Sequence, residues 1–297
     1  MTDAQARLLL GAPVAAEIRA SVRDDIAAFV ARRGYAPTLA IVLVGRDAPS
    51  AVYLRQILKA CEMAGIGGRL VEIESDGGSV TDADLEARVT AAIESLNDDP
   101  LVAGIIVQMP LPPSVRLRTI IDTIDPAKDI DGIHPLNAGL LRLGYEGFLP
   151  ATAHAAIEML HRYDVPIVGR EAVVVGRSNV VGMPAAFMLV REHATVTVCH
   201  SKTVDLAAHV RRAEILVVAA GRPGLITGSM LRPGAVVVDV GINVVGDAIV
   251  GDVDIDSARS VAGAITPVPG GVGPVTNAIL LTHLVRAAVA QADGAPA

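Results

Sequence analysis

The segment Ala264-Ile265-Thr266-Pro267-Val268-Pro269-Gly270-Gly271-Val272-Gly273-Pro274-Val275-Thr276 constrains this chain more than any other. Its prolines fix φ and remove amide donors, while its glycines open backbone conformations closed to other residues. It lies between a short apolar run and a long apolar helical pattern. It is therefore expected to be an ordered loop, neither helix nor central strand, with a backbone that a ligand can approach closely. Free amides at the start of the following helix favour anionic groups. A connector that merely turns sharply would use the same residues, so the loop alone leaves both readings open.

The rest of the chain alternates short apolar runs with amphipathic stretches. Runs over 39–44, 69–73 and 104–108 read as strands, separated by helical patterns over 14–30 (with Gly34 as its stop), 50–64 and 82–96 (with Thr81 as cap). After Pro150 a second series follows, with helices over 152–163, 182–192 and 204–211 and strands over 171–176, 194–199, 215–220 and 235–240. Continuous apolar strands between helices indicate parallel sheets covered on both faces. The fold class is α/β, with two doubly wound domains. Residues 111–150 read as loop-rich, which places a boundary near 148, and a last helix over 274–290 is followed by residues expected to fray.

With 297 residues and 52% hydrophobic content, the chain can fill two cores, and these are aliphatic because aromatics make up only 2%. A net charge of −7 without a basic stripe argues against nucleic acid or an anionic membrane as partner. Cys61 and Cys199 lack metal-ligand spacing and read as reduced thiols, and no metal site is expected. Gly11 and Pro13 break the Leu8-Leu9-Leu10 run, so no signal peptide is expected and a cytoplasmic location follows.

Val173-Val174-Val175-Gly176-Arg177-Ser178-Asn179-Val180-Val181-Gly182 is strand, glycine turn and helix start, the order a pyrophosphate site needs. Gly176 and Gly182 bracket five residues, with Ser178 where the usual motif has its middle glycine, so a ligand-free strand–helix turn stays open as an alternative. After the next strand, where an acidic residue would read a ribose 2′-hydroxyl, stand His200, Ser201, Lys202 and Thr203. Hydroxyls and a cation suit a 2′-phosphate, which favours NADP over NAD.

These features occur together with Gly104-Ile105-Ile106-Val107-Gln108-Met109-Pro110-Leu111-Pro112 and with Asp125-Pro126-Ala127-Lys128-Asp129-Ile130-Asp131-Gly132-Ile133-His134-Pro135-Leu136-Asn137. The chain resembles, from about residue 8 to 290, the bifunctional methylenetetrahydrofolate dehydrogenase/methenyltetrahydrofolate cyclohydrolase (FolD) family. The resemblance implies a catalytic folate domain, 1–148 plus 275–297, a Rossmann-type NADP domain, 149–274, and a homodimer acting on tetrahydrofolate derivatives in one-carbon metabolism. It implies catalytic roles for Tyr53 (stacking on the folate), Gln108 (tuning a catalytic lysine) and Asp131 (hydrogen bonds to the pterin). Ser50, Pro269, Gly270 and Gly271 fall in its substrate site, and Gly176, Arg177, Ser178, Ser201, Ile242 and Thr276 where it contacts NADP. Each polar residue has an ordinary alternative: Tyr53 as core, Asp131 as cap of the turn at Gly132, Gln108 as a loop tie.

The departure lies in Tyr53-Leu54-Arg55-Gln56-Ile57-Leu58-Lys59. The family has lysine four residues after the tyrosine, on the same helical face. Here that position is Ile57, and Lys59 faces elsewhere. Dehydrogenase activity is expected to survive and cyclohydrolase activity to be lost or strongly weakened, with Gln56, Lys128 and His134 as possible substitutes. The alternatives are a non-catalytic folate/NADP-binding paralogue and a related oxidoreductase acting on a different substrate.

Overall fold

The computed structural model describes residues 5–45, 48–74 and 82–294, apart from the side chains of 48–53, 55, 56, 82 and 83. Thr81, expected as a helix cap, lies outside the described residues. In chain order the first elements are β1 (Arg7–Leu8), α1 (Gly11–Arg33), β2 (Thr38–Val44), α2 (Ala48–Ala64), β3 (Gly67–Ile73), α3 (Asp82–Asp98), β4 (Val102–Val107), α4 (Leu117–Thr123) and α5 (Pro135–Leu143). They are followed by α6 (Ala151–Arg162), β5 (Glu171–Val175), α7 (Gly182–Arg191), β6 (Thr195–Cys199), α8 (Leu206–Val210), β7 (Ile215–Val218), β8 (Val236–Asp239), the hairpin β9 (Asn243–Val245) and β10 (Ala248–Val250), α9 (Ile255–Ala258), β11 (Ala264–Ile265) and α10 (Val272–Asp293). The chain forms two compact units, one of residues 18–149 with 280–297 and the other of 1–17 with 150–279.

The first unit is built on a parallel sheet of order β3-β2-β4. Every residue of β4 and all but the first of β2 are buried, as the continuous apolar runs require. Val89, Ile93 and Leu96 of α3 pack on Ala40, Val42 and Ile105 of the sheet. Gly34 ends α1 at a φ of 79°, the left-handed stop read from the sequence. The 111–150 stretch is not all loop, because α4 and α5 interrupt it. The last helix also runs further than expected: Gln291, placed in the frayed tail by sequence, donates from Nε2 to Ala103 O at 2.9 Å and Ala127 O at 3.3 Å.

The second unit holds a six-stranded sheet of order β1-β11-β8-β7-β5-β6, parallel throughout. The short strand β1, which carries no sequence signal of its own, extends it beside β11. Val175, Cys199, Val218 and Asp239 lie in register at the carboxyl ends of β5, β6, β7 and β8. Strand order reverses at β5, since β6 lies on one side and β7 on the other. Loops leaving β5 and β7 therefore diverge, which makes a crevice for ligands. Both cysteines are buried free thiols.

Among the described residues, α10 is the one helix long and apolar enough to cross a membrane by length and composition. Its most apolar window has a mean hydropathy of 1.3 and is 67% buried inside the protein, as in a core helix.

Candidate active site

In the nucleotide-side unit, backbone sterics shape the site. Gly176 follows β5 at a φ of 128°, and a Cβ there would collide with Ala219 O. A Cβ on Gly182 would collide with Gly176 O. The loop thus folds onto itself and onto the end of β7 so tightly that only glycine fits at both ends. Ser178 Oγ accepts from Val181 N at 3.1 Å and Gly182 N at 3.4 Å, and Ser178 O accepts from Met183 N at 3.0 Å, so this serine nucleates the start of α7. Arg177 is exposed beside it.

At the end of β6 a tight turn is closed by His200 N donating to Thr203 Oγ1 at 2.8 Å and Lys202 N donating to His200 Nδ1 at 3.1 Å. It leaves Ser201 and Lys202 exposed. Ile242, after β8, is 68% exposed. The turns carrying Gly176, Ser201 and Ile242 thus leave the same edge of one sheet. Cradle, cation and hydroxyls fit a dinucleotide carrying a phosphorylated ribose.

The Pro-Gly loop leaves that edge after β11. Gly270 has a φ of 105°, and its O accepts from Gly11 N at 2.8 Å. A Cβ on Gly271 would stand 2.6 Å from Pro267 O, and one on Gly11 would collide with Gly271 O. The loop is shorter than expected, because Val272, Gly273 and Pro274 already belong to α10. Proline is tolerated in a first turn, where its missing amide has no intrahelical partner. Pro269 and Gly270 are exposed, whereas Thr276 is buried and its Oγ1 donates to Val272 O at 3.3 Å.

The folate-side unit presents different chemistry. Ser50 and Tyr53 lie in α2, with side chains outside the described residues. Ile57, one turn on, is 2% exposed and among the largest fully buried side chains. Gln108 extends β4, its N donating to Val42 O at 2.9 Å, and its Nε2 donates to Met109 O at 2.8 Å.

Asp131 lies in a loop tied down on both sides. Lys128 Nζ donates to Leu96 O, Asn97 O and Asp99 O at 3.1, 2.6 and 2.8 Å, closing the end of α3. Burial lowers the Lys128 pKa. Asp129 accepts from Ile133 N at 3.1 Å, His134 N at 2.8 Å and Asn137 Nδ2 at 2.8 Å. On the other side His283 Nδ1, buried in α10, bonds to Ile130 O at 2.7 Å. Asp129 therefore fastens the turn at Gly132, the structural task that sequence left open for Asp131. Burial, and then the neighbouring Asp129 carboxylate, push Asp131 up to about 7. Among the described residues none donates to the Asp131 carboxylate, whereas Asp129 accepts three hydrogen bonds.

Two of the side chains read from sequence as substitutes for a lysine at position 57 are engaged elsewhere. Lys128 has all three donors on carbonyls, and His134 Nδ1 accepts from Leu136 N at 3.0 Å as the cap of α5. The side chain of Gln56 lies outside the described residues. Sequence reading also passed over Asp239 and Asp252, buried behind the nucleotide-side turns, and His283. A buried charge announces itself only by its surroundings, which a sequence does not display.

A parallel sheet with a glycine-bounded crevice at its switch point, in one chain with a second α/β unit bearing a buried carboxylate loop, defines a dehydrogenase of the two-domain, dinucleotide-dependent class. Residues 9–131 match the family model of the tetrahydrofolate dehydrogenase/cyclohydrolase catalytic domain, and residues 150–292 that of its NAD(P)-binding domain. The chain belongs to this family. It is 51% identical over 284 residues to the bifunctional protein FolD of Bordetella petrii, covering 95% of this chain and 94% of that one. The crystal structure of the Campylobacter jejuni bifunctional FolD enzyme superposes with a TM-score of 0.89 at 40% identity, over 95% of this chain and 98% of that one. The Trypanosoma brucei dehydrogenase-cyclohydrolase, solved with NADP cofactor and inhibitor, superposes with a TM-score of 0.90 at 36% identity, over 96% and 98%.

Proposed function

We propose that this protein oxidises 5,10-methylenetetrahydrofolate to 5,10-methenyltetrahydrofolate with NADP, and that hydrolysis of the product to 10-formyltetrahydrofolate is lost or strongly weakened. NADP supplies the hydride acceptor. Gly176, Ser178 and Gly182 would hold its pyrophosphate, and Arg177 and Ser201, with Lys202, its 2′-phosphate. Ile242 and Thr276 would line the cofactor further along, and Pro269, Gly270 and Gly271 would meet the folate. Asp131, ionised, would accept from the pterin N–H groups, with Ser50 and Tyr53 beside the same ligand.

Hydride loss leaves a positive charge shared by the carbon and its flanking nitrogens. The substrate's own lone pair drives that step, so positioning suffices. Hydrolysis adds water to that carbon and breaks a C–N bond, with protons moved from oxygen to nitrogen. A general acid–base group contributes ~10²–10⁴-fold to such a step. The observation that carries the proposal is Ile57, a buried hydrocarbon where the family has its amine. With that amine absent, Gln108 has no lysine to tune, consistent with its bond to Met109 O.

The reading extends to a folate-binding domain of residues 18–149 with 280–297 and an NADP domain of 150–279 with 1–17. The first seventeen residues, read from sequence as part of the folate domain, thus go with the NADP domain, whose sheet β1 joins. It extends also to a homodimer and a cytoplasmic location, with neither nucleic acid nor membrane as partner. One preparation tests it. NADPH formation from methylenetetrahydrofolate is expected at turnover typical of a metabolic dehydrogenase, and methenyltetrahydrofolate absorbance is expected to decay no faster than in buffer. Hydrolysis as fast as dehydrogenation overturns the second half. NADPH binding without folate turnover identifies a non-catalytic binder, and full activity in Asp131→Asn points to a different substrate.

A further inference from the structure

Two carboxylates behind the nucleotide edge have no part in the chemistry above. Asp239 and Asp252 are 3% and 0% exposed. Asp252 Oδ2 accepts from Ala220 N at 2.6 Å and Gly221 N at 2.8 Å, and its Oδ1 from Arg222 N at 2.8 Å and Asn243 Nδ2 at 2.9 Å. Three successive amides converging on one carboxylate form a concavity of the kind that elsewhere binds a free anion. Here the anion is the protein's own.

Asp239 holds Asp252 in turn. Its Oδ1 accepts from Asp252 N at 3.1 Å and Gly241 N at 2.9 Å, and its Oδ2 from Val253 N at 2.9 Å. Asp239 N donates to Thr266 Oγ1 at 2.8 Å, at the root of the Pro-Gly loop. The two carboxylates fill the space where neighbouring side chains would begin: a Cβ on Gly241 would collide with the Asp252 carboxyl and one on Gly251 with Asp239 Oδ2. The turns after β7, β8 and β11 are thereby fastened to one another.

The turn after β7 is one wall of the switch-point crevice. The other is the Gly176 turn, which meets Ala219 O directly. We propose that Asp252, held by Asp239, is a positioning residue for NADP: it fixes Ala220-Gly221-Arg222 as the crevice wall facing Gly176 before the cofactor binds. A wall set in advance spares binding the cost of ordering it.

The inference rests on the reading of this edge as an NADP site, and the test measures NADPH binding directly, so a failure of the folate reading leaves it standing. In Asp252→Asn one oxygen is replaced by a nitrogen that cannot accept from the Arg222 amide or Asn243. The NADPH Kd, followed by fluorescence well below the melting midpoint, is expected to rise about tenfold. The KM for methylenetetrahydrofolate should stay within about twofold, which separates positioning from general damage. A lowered melting temperature with unchanged NADPH Kd, or an equal rise in both constants, overturns the proposal. If circular dichroism shows Asp252→Asn unfolded, Asn243→Ala decides: it removes one of four donors and should raise the NADPH Kd roughly two- to threefold. An unchanged Kd there overturns the proposal equally.

Discussion

At the end of β5 the backbone demands Gly176 and Gly182 whatever is bound, whereas on α2 the buried position 57 takes isoleucine without steric consequence. The nucleotide-side unit writes its site into backbone geometry, with glycines where no Cβ fits. The folate-side unit writes proton chemistry into single side chains, and a single side chain can be exchanged while the helix around it stays packed. A fully buried isoleucine is also easy to keep, since a lysine there would need its charge solvated or paired. Under the proposal, one activity of a two-activity fold is lost without disturbing the other.

Ile57→Lys tests that asymmetry most sharply. If the rest of the folate-side site is intact, methenyltetrahydrofolate hydrolysis should rise by ~10²–10⁴-fold while dehydrogenation changes far less. Absence of any gain would mean that more than one side chain separates this unit from a hydrolytic one. Gly176→Ala breaks the other half of the comparison. Its methyl group has nowhere to go, so dehydrogenase kcat/KM should fall by about 100-fold, with a stability loss of roughly 1–3 kcal/mol. Unchanged NADPH binding in that variant would show that side chains, not backbone, shape the nucleotide site.

Lys128→Met leaves three carbonyls at the end of α3 without their ammonium donor. It should lower unfolding free energy by roughly 2–4 kcal/mol in denaturant titration, with residual dehydrogenase kcat little changed. A selective loss of turnover without loss of stability would return Lys128 to the chemistry.

The smallest effect concerns pH. Asp131 is raised to about 7 by burial and by Asp129. Under the proposal that the ionised form accepts from the pterin, KM for methylenetetrahydrofolate should fall as pH rises from 6 to 8. Stability runs the opposite way. Between the unfolded carboxyl pKa of about 4 and the folded value the native state binds more protons, so this group's contribution declines as pH rises through that window. Asp131→Asn should remove the decline, a gain on the order of 1 kcal/mol at pH 8 after screening at this half-buried position. A stability profile unaltered by the substitution would place the titration elsewhere.

Sequence carried the long, continuous elements well. β2, β4, β5 and β8 are apolar runs, and Gly34 and Gly176 occupy positive-φ positions at the ends that their patterns mark. It failed on short elements. α4 spans Leu117–Thr123 and has Ile120 as its buried residue, too short a stretch to show periodicity, and α5 follows a proline-bounded stretch that reads as loop. β1 exists only because β11 is there to pair with it. Asp131 stands out in sequence because it lies in a long motif. Asp239 and Asp252 do not stand out, because a carboxylate surrounded by backbone amides looks in sequence like any other aspartate before a turn.

Arg7 lies beside Ala264 in the sheet, Leu9 N donates to Ile265 O, and Gly11 N reaches Gly270 O. Tyr163 Oη adds a bond to Leu10 O. On a ribosome, the segment at Arg7 that shores up the Pro-Gly loop emerges long before its partner strand at Ala264, and must wait for that strand to exist. Such pairing between distant stretches of chain closes late. The Pro-Gly loop should therefore acquire its order among the final steps of folding, and nascent chains halted before residue 264 should lack it entirely.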